Sequence, residues 1–344
     1  MFTIIKKNAG AFILLLCMFF GVVFIGFNQN ELGNITQAFR SIKPIYLIYC
    51  IIGWFCFLYL DTLTIKYYLA DQGHFLSLGA CFHGAISGLF YSNITPGASG
   101  GQPMQIFTLK RHGVPFGLAA STVTAKFFIF ECVLLLSGTV FWIANYDFVN
   151  KNLSGLIWLI ILGYIANFFS IALVLCIMIS KKITKKLIGF CITCAVKIKL
   201  CKKPEEARIK WDTYCENYEK SIKTCFKNPK GLIWLSVITF FQIIAMMSPG
   251  VILIFAFNNT QTSIIGLLAI SILLYISAGY TPLPGSSGMQ EFGFVKFFKA
   301  FYAPAQLFIS LLLWRFFSYY INVIVGLVVS MCEPLIFKKK KEKV

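Results

Sequence analysis

Six stretches of this chain, at about 9–27, 44–61, 117–143, 155–180, 231–257 and 304–332, are each long and apolar enough to cross a bilayer as a helix. Lipid offers the backbone no hydrogen-bond partner. A chain of this kind is therefore restricted to helices, or to a closed barrel, whose N–H and C=O groups pair internally. Apolar/polar alternation is weak here, which argues against a barrel. Composition agrees: 58% of the 344 residues are hydrophobic and 13% are charged, where a soluble domain carries roughly 25% charged residues. The expected fold is an all-α polytopic membrane protein with about six full transmembrane helices, organised as a single domain over 1–344.

Two further apolar segments, 75–94 and 263–283, run into glycine-rich breaks. The first break is Pro96-Gly-Ala-Ser-Gly-Gly-Gln102 and the second is Pro284-Gly-Ser-Ser-Gly-Met-Gln290, five identities in seven. Irregular chain at membrane depth is tolerated only where protein buries it or a watery cavity solvates it. Two such breaks in corresponding halves of a chain mark a transporter-like pathway near the midplane. Pro96 and Pro284 stop the incoming helices, and Pro103 starts the outgoing helix after the first break. Gly97, Ser99, Gly100, Gly101 and Gln102, with Gly285, Ser287, Gly288 and Gln290, become candidate substrate-binding residues. Small residues let a ligand approach the backbone, and successive N–H groups in such turns can cradle an anion such as a phosphate. The competing reading is a packing turn between helices.

Charge sets the orientation. The net charge is +18, and residues 181–230 hold 14 Lys/Arg against five acids, with a nearly all-lysine tail at 338–343. Basic loops beside spans mark the cytoplasmic face and lie against anionic lipid. No nucleic-acid recognition motif accompanies the charge, so nucleic acid is not an expected partner. Lys6-Lys7, Lys110-Arg111, the 181–230 loop and the tail belong inside, and the connections at 28–43, 145–154 and 258–262 outside. That assignment makes 75–110 and 263–303 two opposed re-entrant hairpins with the glycine-rich breaks at their tips. Repeats at 44–143 and 231–332 then have inverted topology, and both termini are cytoplasmic. The N-terminal run reads as an uncleaved first span, since no small-x-small cleavage site follows it. Within 181–230, Trp211, Tyr214, Tyr218, Ile222 and Cys225 recur at helical spacing. They suit an amphipathic helix on the cytoplasmic membrane face or, equally, a helix of a small soluble subdomain.

Intramembrane charges are the second group of candidates. Asp61 ends the expected second span, and Glu131 lies in the middle of its span. Arg315 is a third of the way along the last span, and Glu291 follows the second break. Unpaired charges there cost at least ~2.5–3.5 kcal/mol each, so a Glu131–Arg315 pair is expected. Lys126 is near enough to a membrane face to snorkel. The twelve cysteines, Cys191-x-x-Cys194 among them, lack the partners of a zinc site and read as free thiols. P-loop, dinucleotide and H-E-x-x-H signatures are absent, and nothing orients His74, His83 or His112 for catalysis. No catalytic residue, metal site or cofactor is expected.

The run Ser92-Asn-Ile-Thr-Pro-Gly97, then Gly100-Gly-Gln-Pro-Met104, then Leu109-Lys110-Arg111 resembles one block of a bacterial membrane family. Thr281-Pro-Leu-Pro-Gly285 with Gly288 and Glu291 resembles a second block of the same family. The family is the flippase-like transmembrane domain of lysylphosphatidylglycerol synthases and its stand-alone relatives, and the resemblance spans about 5–335. It implies a multi-pass protein of the bacterial cytoplasmic membrane associated with lipid translocation. In two-part members the membrane domain moves aminoacylated phosphatidylglycerol outward, and a separate C-terminal domain makes it. Here the chain ends at Val344, so neither a synthase domain nor lysyltransferase activity is expected. Asp61 matches a position where two-part members carry an Asp. Those members often have an Arg just after the first glycine block. Here that neighbourhood reads Met104-Gln105, with the cations displaced to Lys110 and Arg111, which leaves the headgroup open.

The leading function is a lipid flippase or lipid transporter, with membrane phospholipid as partner. Two alternatives stand beside it: an intramembrane enzyme of lipid modification, and a partner subunit whose basic loop docks a soluble synthase. A second copy of the chain is a further partner left open.

Overall fold

A computed structural model describes residues 32–179, 204–257, 262–279, 281 and 283–341. The expected first span at 9–27, Cys191-x-x-Cys194 and most of the connection at 258–262 lie outside the described residues. Every regular element among those described is helical. The main helices are α1 (Leu32–Arg40), α2 (Pro44–Asp71), α3 (Leu78–Ile94), α4 (Gly101–Arg111), α5 (Phe116–Ala144), α6 (Tyr146–Leu153) and α7 (Ile157–Ile179). They continue as α8 (Pro204–Lys227), α9 (Pro229–Ala256), α10 (Ile264–Ala278), α11 (Met289–Phe298), α12 (Pro304–Arg315) and α13 (Ile321–Lys341).

Five helical stretches are long and apolar enough to cross a membrane: Pro44–Asp71, Phe116–Ala144, Tyr146–Cys176, Pro229–Ala256 and Pro304–Glu333. The protein is thus a polytopic helical membrane protein. Its outward faces carry the large apolar side chains a lipid-facing surface requires, among them Leu136, Ile143, Phe168, Phe169 and Ile233.

Proline explains four of the thirteen starts. Pro44, Pro204, Pro229 and Pro304 each open a helix, where the missing N–H would have no partner in any case. Pro249 falls inside α9 instead and deprives the Ala245 carbonyl of its helical bond. The Ser248 hydroxyl donates to that carbonyl at 2.8 Å. Facing it, Gly53 of α2 has no side chain, and a Cβ there would overlap the Ser248 hydroxyl. The contact lets α2 and α9 lie close along their length.

Helix α2 corrects the expected boundary at 61. It continues ten residues beyond Asp61, with the Thr62 and Thr64 hydroxyls donating to Leu58 and Leu60 carbonyls. Asp61 is therefore a buried residue in mid-helix, 2% exposed, and does not sit at an interface.

Segments 78–111 and 264–298 are helical hairpins. At 1.5 Å per residue their legs are roughly 15–25 Å long, short of the ~30 Å hydrocarbon core. Their tips share an unusual backbone. Pro96–Ala98 and Pro284–Ser286 are 3₁₀ turns with left-handed glycines at φ 57° (Gly97) and 59° (Gly285). Each glycine is followed by a left-handed non-glycine residue, Ala98 at φ 55° and Ser286 at φ 51°. The sequence repeat is therefore a conformational repeat through its first three residues. It diverges at the fourth, where Ser99 is helical and Ser287 extended. The two 3₁₀ turns contact one another.

Helix α8 also differs from expectation. Ile222 and Cys225 are buried with Tyr68, Ala125, Ile129 and Leu235, and the Ser221 hydroxyl accepts a 2.8 Å bond from Ser121 of α5. The apolar stripe at this end of the helix is covered by the bundle and does not face lipid.

Candidate functional site

The bundle encloses a chamber of about 350 Å³ between the two hairpin tips, walled by α2, α5, α9 and the last span. A second chamber of about 160 Å³ adjoins it. Phe57, Leu89, Phe127, Phe130, Met246 and Tyr275 line both, so the two form one track. Such a volume suits a small ligand or a lipid headgroup, and mostly apolar walls with a few polar groups are usual for ligand sites.

Buried charge lies at both ends. In the smaller chamber, Lys126 Nζ is 2.7 Å and 2.8 Å from the two Asp61 carboxylate oxygens. Gln242 donates to Asp61 Oδ1 at 2.8 Å. Lys126 therefore does not snorkel: it is held inside by a carboxylate that has a second donor. In the larger chamber, Arg315 Nε donates to Glu291 Oε1 at 2.7 Å. A second guanidinium nitrogen donates to the Gly285 carbonyl and the Ser287 hydroxyl, each at 3.2 Å. Glu131 was the expected partner of Arg315; the ion pair the structure shows is with Glu291. Glu131 lines the same chamber, 6% exposed. Two carboxylates, Asp61 and Glu131, and two cations, Lys126 and Arg315, thus line the track.

Tip chemistry departs from the cradle expected of it. The N–H groups of Ala98 and Ser99 donate to Thr95 and Pro96 carbonyls, and that of Gly100 donates to the Thr95 hydroxyl. In the second tip, the N–H groups of Ser286 and Ser287 donate to Leu283 and Pro284 carbonyls. The Gly288 N–H donates to Glu291 Oε2 at 2.6 Å. These amides are engaged within the turns, so an anion cradle is not formed by them. The glycines still matter for shape. A Cβ on Gly101 would overlap the Ser92 hydroxyl and crowd the Gly88 carbonyl. Gly288, at φ 88°, is in a conformation that side chains rarely adopt.

Gly101, Gln102, Gly285, Gln290, Asp61, Lys126, Glu131 and Arg315 line the track. Ser287 and Glu291 stand behind its wall, holding Arg315. Pro284 is buried in the second tip, whereas Pro96, Gly97 and Ser99 are exposed on the first, beside Gly100. Lys110 and Arg111 are elsewhere, at the far end of α4: Arg111 pairs with Glu333 of α13, and Lys110 lies over the Phe116 ring.

Sequence reasoning missed several lining groups. Gln105 donates to the Gly84 carbonyl inside the first hairpin. Trp54 donates to Asn322 Oδ1 at 2.8 Å, tying α2 to the last span. Tyr319 donates to the Asn93 carbonyl. Buried Gln and Asn in apolar helices were the available signal, since such amides need partners. Arg315 is followed by a π-helical turn, Phe316–Tyr320, that no composition cue announced; turns of this kind are frequent at functional sites.

The chain matches the family described as the lysylphosphatidylglycerol synthase TM region over residues 8–326. No curated protein matches it significantly. The chain belongs to the lysylphosphatidylglycerol synthase TM family.

Proposed function

We propose that this member of the lysylphosphatidylglycerol synthase TM family is a lipid transporter of flippase type, with the phospholipid headgroup passing through the chamber between the hairpin tips. The observation that carries this reading is the pair of buried ion pairs at the two ends of one track. Charges buried at membrane depth are expensive and rarely retained for stability alone. A track with charge at both ends gives a headgroup successive partners while its acyl chains stay in apolar surroundings.

The charge balance narrows the headgroup. Asp61 and Glu131 stand against Lys126 and Arg315 along the lining of the track, so the track favours a headgroup carrying an amine as well as a phosphate, such as an aminoacylated phosphatidylglycerol, over a purely anionic one. The distribution of basic residues supports a multi-pass topology in the bacterial cytoplasmic membrane. On that reading the first hairpin enters from the cytoplasm and the second from outside. The two conformationally matched tips then stand for the halves of an inverted repeat.

The test is leaflet exchange in proteoliposomes. Phospholipids bearing amine, zwitterionic and anionic headgroups, each with a quenchable label, are followed after addition of a membrane-impermeant quencher. The reading predicts faster loss of protected signal than in protein-free vesicles, greatest for amine-bearing lipids. Unaccelerated exchange for every headgroup would overturn it.

A further inference from the structure

The last span grips both hairpin tips, through two side chains four residues apart. Arg315 holds the second tip by its bonds to Gly285, Ser287 and Glu291. Tyr319, within the π-turn that follows, reaches the first. Its hydroxyl donates to the Asn93 carbonyl at the end of α3, 2.8 Å away. The same ring packs against Gly285 so closely that a Cβ on that glycine would overlap it. The Arg315 guanidinium lies 5.0 Å from the ring centroid, and Tyr319 is only 3% exposed. One aromatic side chain therefore touches the end of the first hairpin's incoming helix, the left-handed glycine of the second tip and the cation that fixes that tip.

We propose that Tyr319 is a positioning residue that couples the two hairpin tips, so that displacement of one is transmitted to the other across the chamber. The geometry needs each part of the contact. A glycine at 285 leaves room for the ring, the π-turn brings Tyr319 and Arg315 to the tips together, and the hydroxyl supplies a directional bond to the first hairpin at its tip. In transport, which rests on the lipid-handling reading above, the coupling makes the two halves of the site change together.

Hydrogen exchange of the protein in lipid nanodiscs, read by mass spectrometry, tests the coupling without any transport assay. Tyr319→Phe removes only the hydroxyl. The expected result is faster exchange of the Ala98, Ser99 and Gly100 amides, by about fivefold for one hydrogen bond of ordinary strength, with α2 and α9 unchanged. Unchanged exchange at the first tip, or an equal rise throughout the chain, overturns the proposal. Should Tyr319→Phe fail to fold, Gly285→Ala carries the same test: its Cβ displaces the ring, so exchange should rise in both tips. A rise confined to the second tip overturns the coupling. A protein that shows the expected exchange pattern but moves no lipid keeps the coupling and loses the transport reading. Where transport is present, Tyr319→Phe should slow it without altering headgroup preference.

Discussion

Arg315 shows how one residue's environment fixes its role. It is 5% exposed in an apolar span, yet its guanidinium meets a carboxylate, a carbonyl and a hydroxyl. Removing one member of such a pair leaves a buried charge, which costs about 3–5 kcal/mol. Glu291→Gln should therefore lower stability by roughly that amount, measured by equilibrium unfolding in mixed micelles. Exchanging the two, as Glu291→Arg with Arg315→Glu, should recover only part of the loss, because Glu291 also accepts from the Gly288 N–H. At the other end of the track, the double variant Asp61→Leu/Lys126→Leu should be more stable than Asp61→Leu alone, since it leaves no uncompensated ammonium. A double variant no more stable than the single one would contradict the pairing. Glu131 and Arg315 were legible in the sequence as anomalies inside apolar spans, and Asp61, Lys126 and Glu291 as charges near a span end or beside a break, but their partners were not. Periodicity says which face of a helix a residue occupies. Which neighbour faces it depends on how the helices pack, and Glu291 reaches Arg315 only because the second hairpin folds back against the last span.

At the scale of elements, the spans and breaks were readable because hydropathy and proline act locally. Helix ends were less so. Helix α2 outruns its apolar stretch because Asp61, Thr62 and Thr64 all find partners, in Lys126 and Gln242 or in the preceding turn. The tips were recognised as irregular, but not that Ala98 and Ser286 adopt left-handed backbone, because neither residue type signals it. Their small side chains only permit it. Helix α8 offers a sharp test. Buried Ile222 is packed among residues of α2, α5 and α9, so Ile222→Ala should cost about 2–5 kcal/mol. A helix lying on lipid would lose little, and an unchanged thermal midpoint would return α8 to the membrane surface. In the first hairpin, Gly101→Leu has no room between Ser92 and the Gly88 carbonyl. It should abolish leaflet exchange while leaving membrane insertion intact. Normal exchange in that variant would remove the tip from the pathway.

Across the whole molecule, four of the five described spans and both hairpins wall one track that carries buried charge at each end. The class of fold followed from composition and apolar runs alone. The track did not, because it arises where residues from distant parts of the sequence meet: Asp61 with Lys126 and Gln242, Glu291 with Arg315, Trp54 with Asn322. Function at this scale turns on where lipid goes. The decisive measurement is photo-crosslinking in nanodiscs with an amine-bearing phospholipid that carries a diazirine next to its headgroup, followed by mapping of the labelled peptides. The account predicts adducts on the track, at Phe127, Phe130 and Tyr275 and beside the Gly101 and Gly285 tips. Adducts confined to the outward faces, at residues such as Trp158, Phe168 and Phe169, would contradict it.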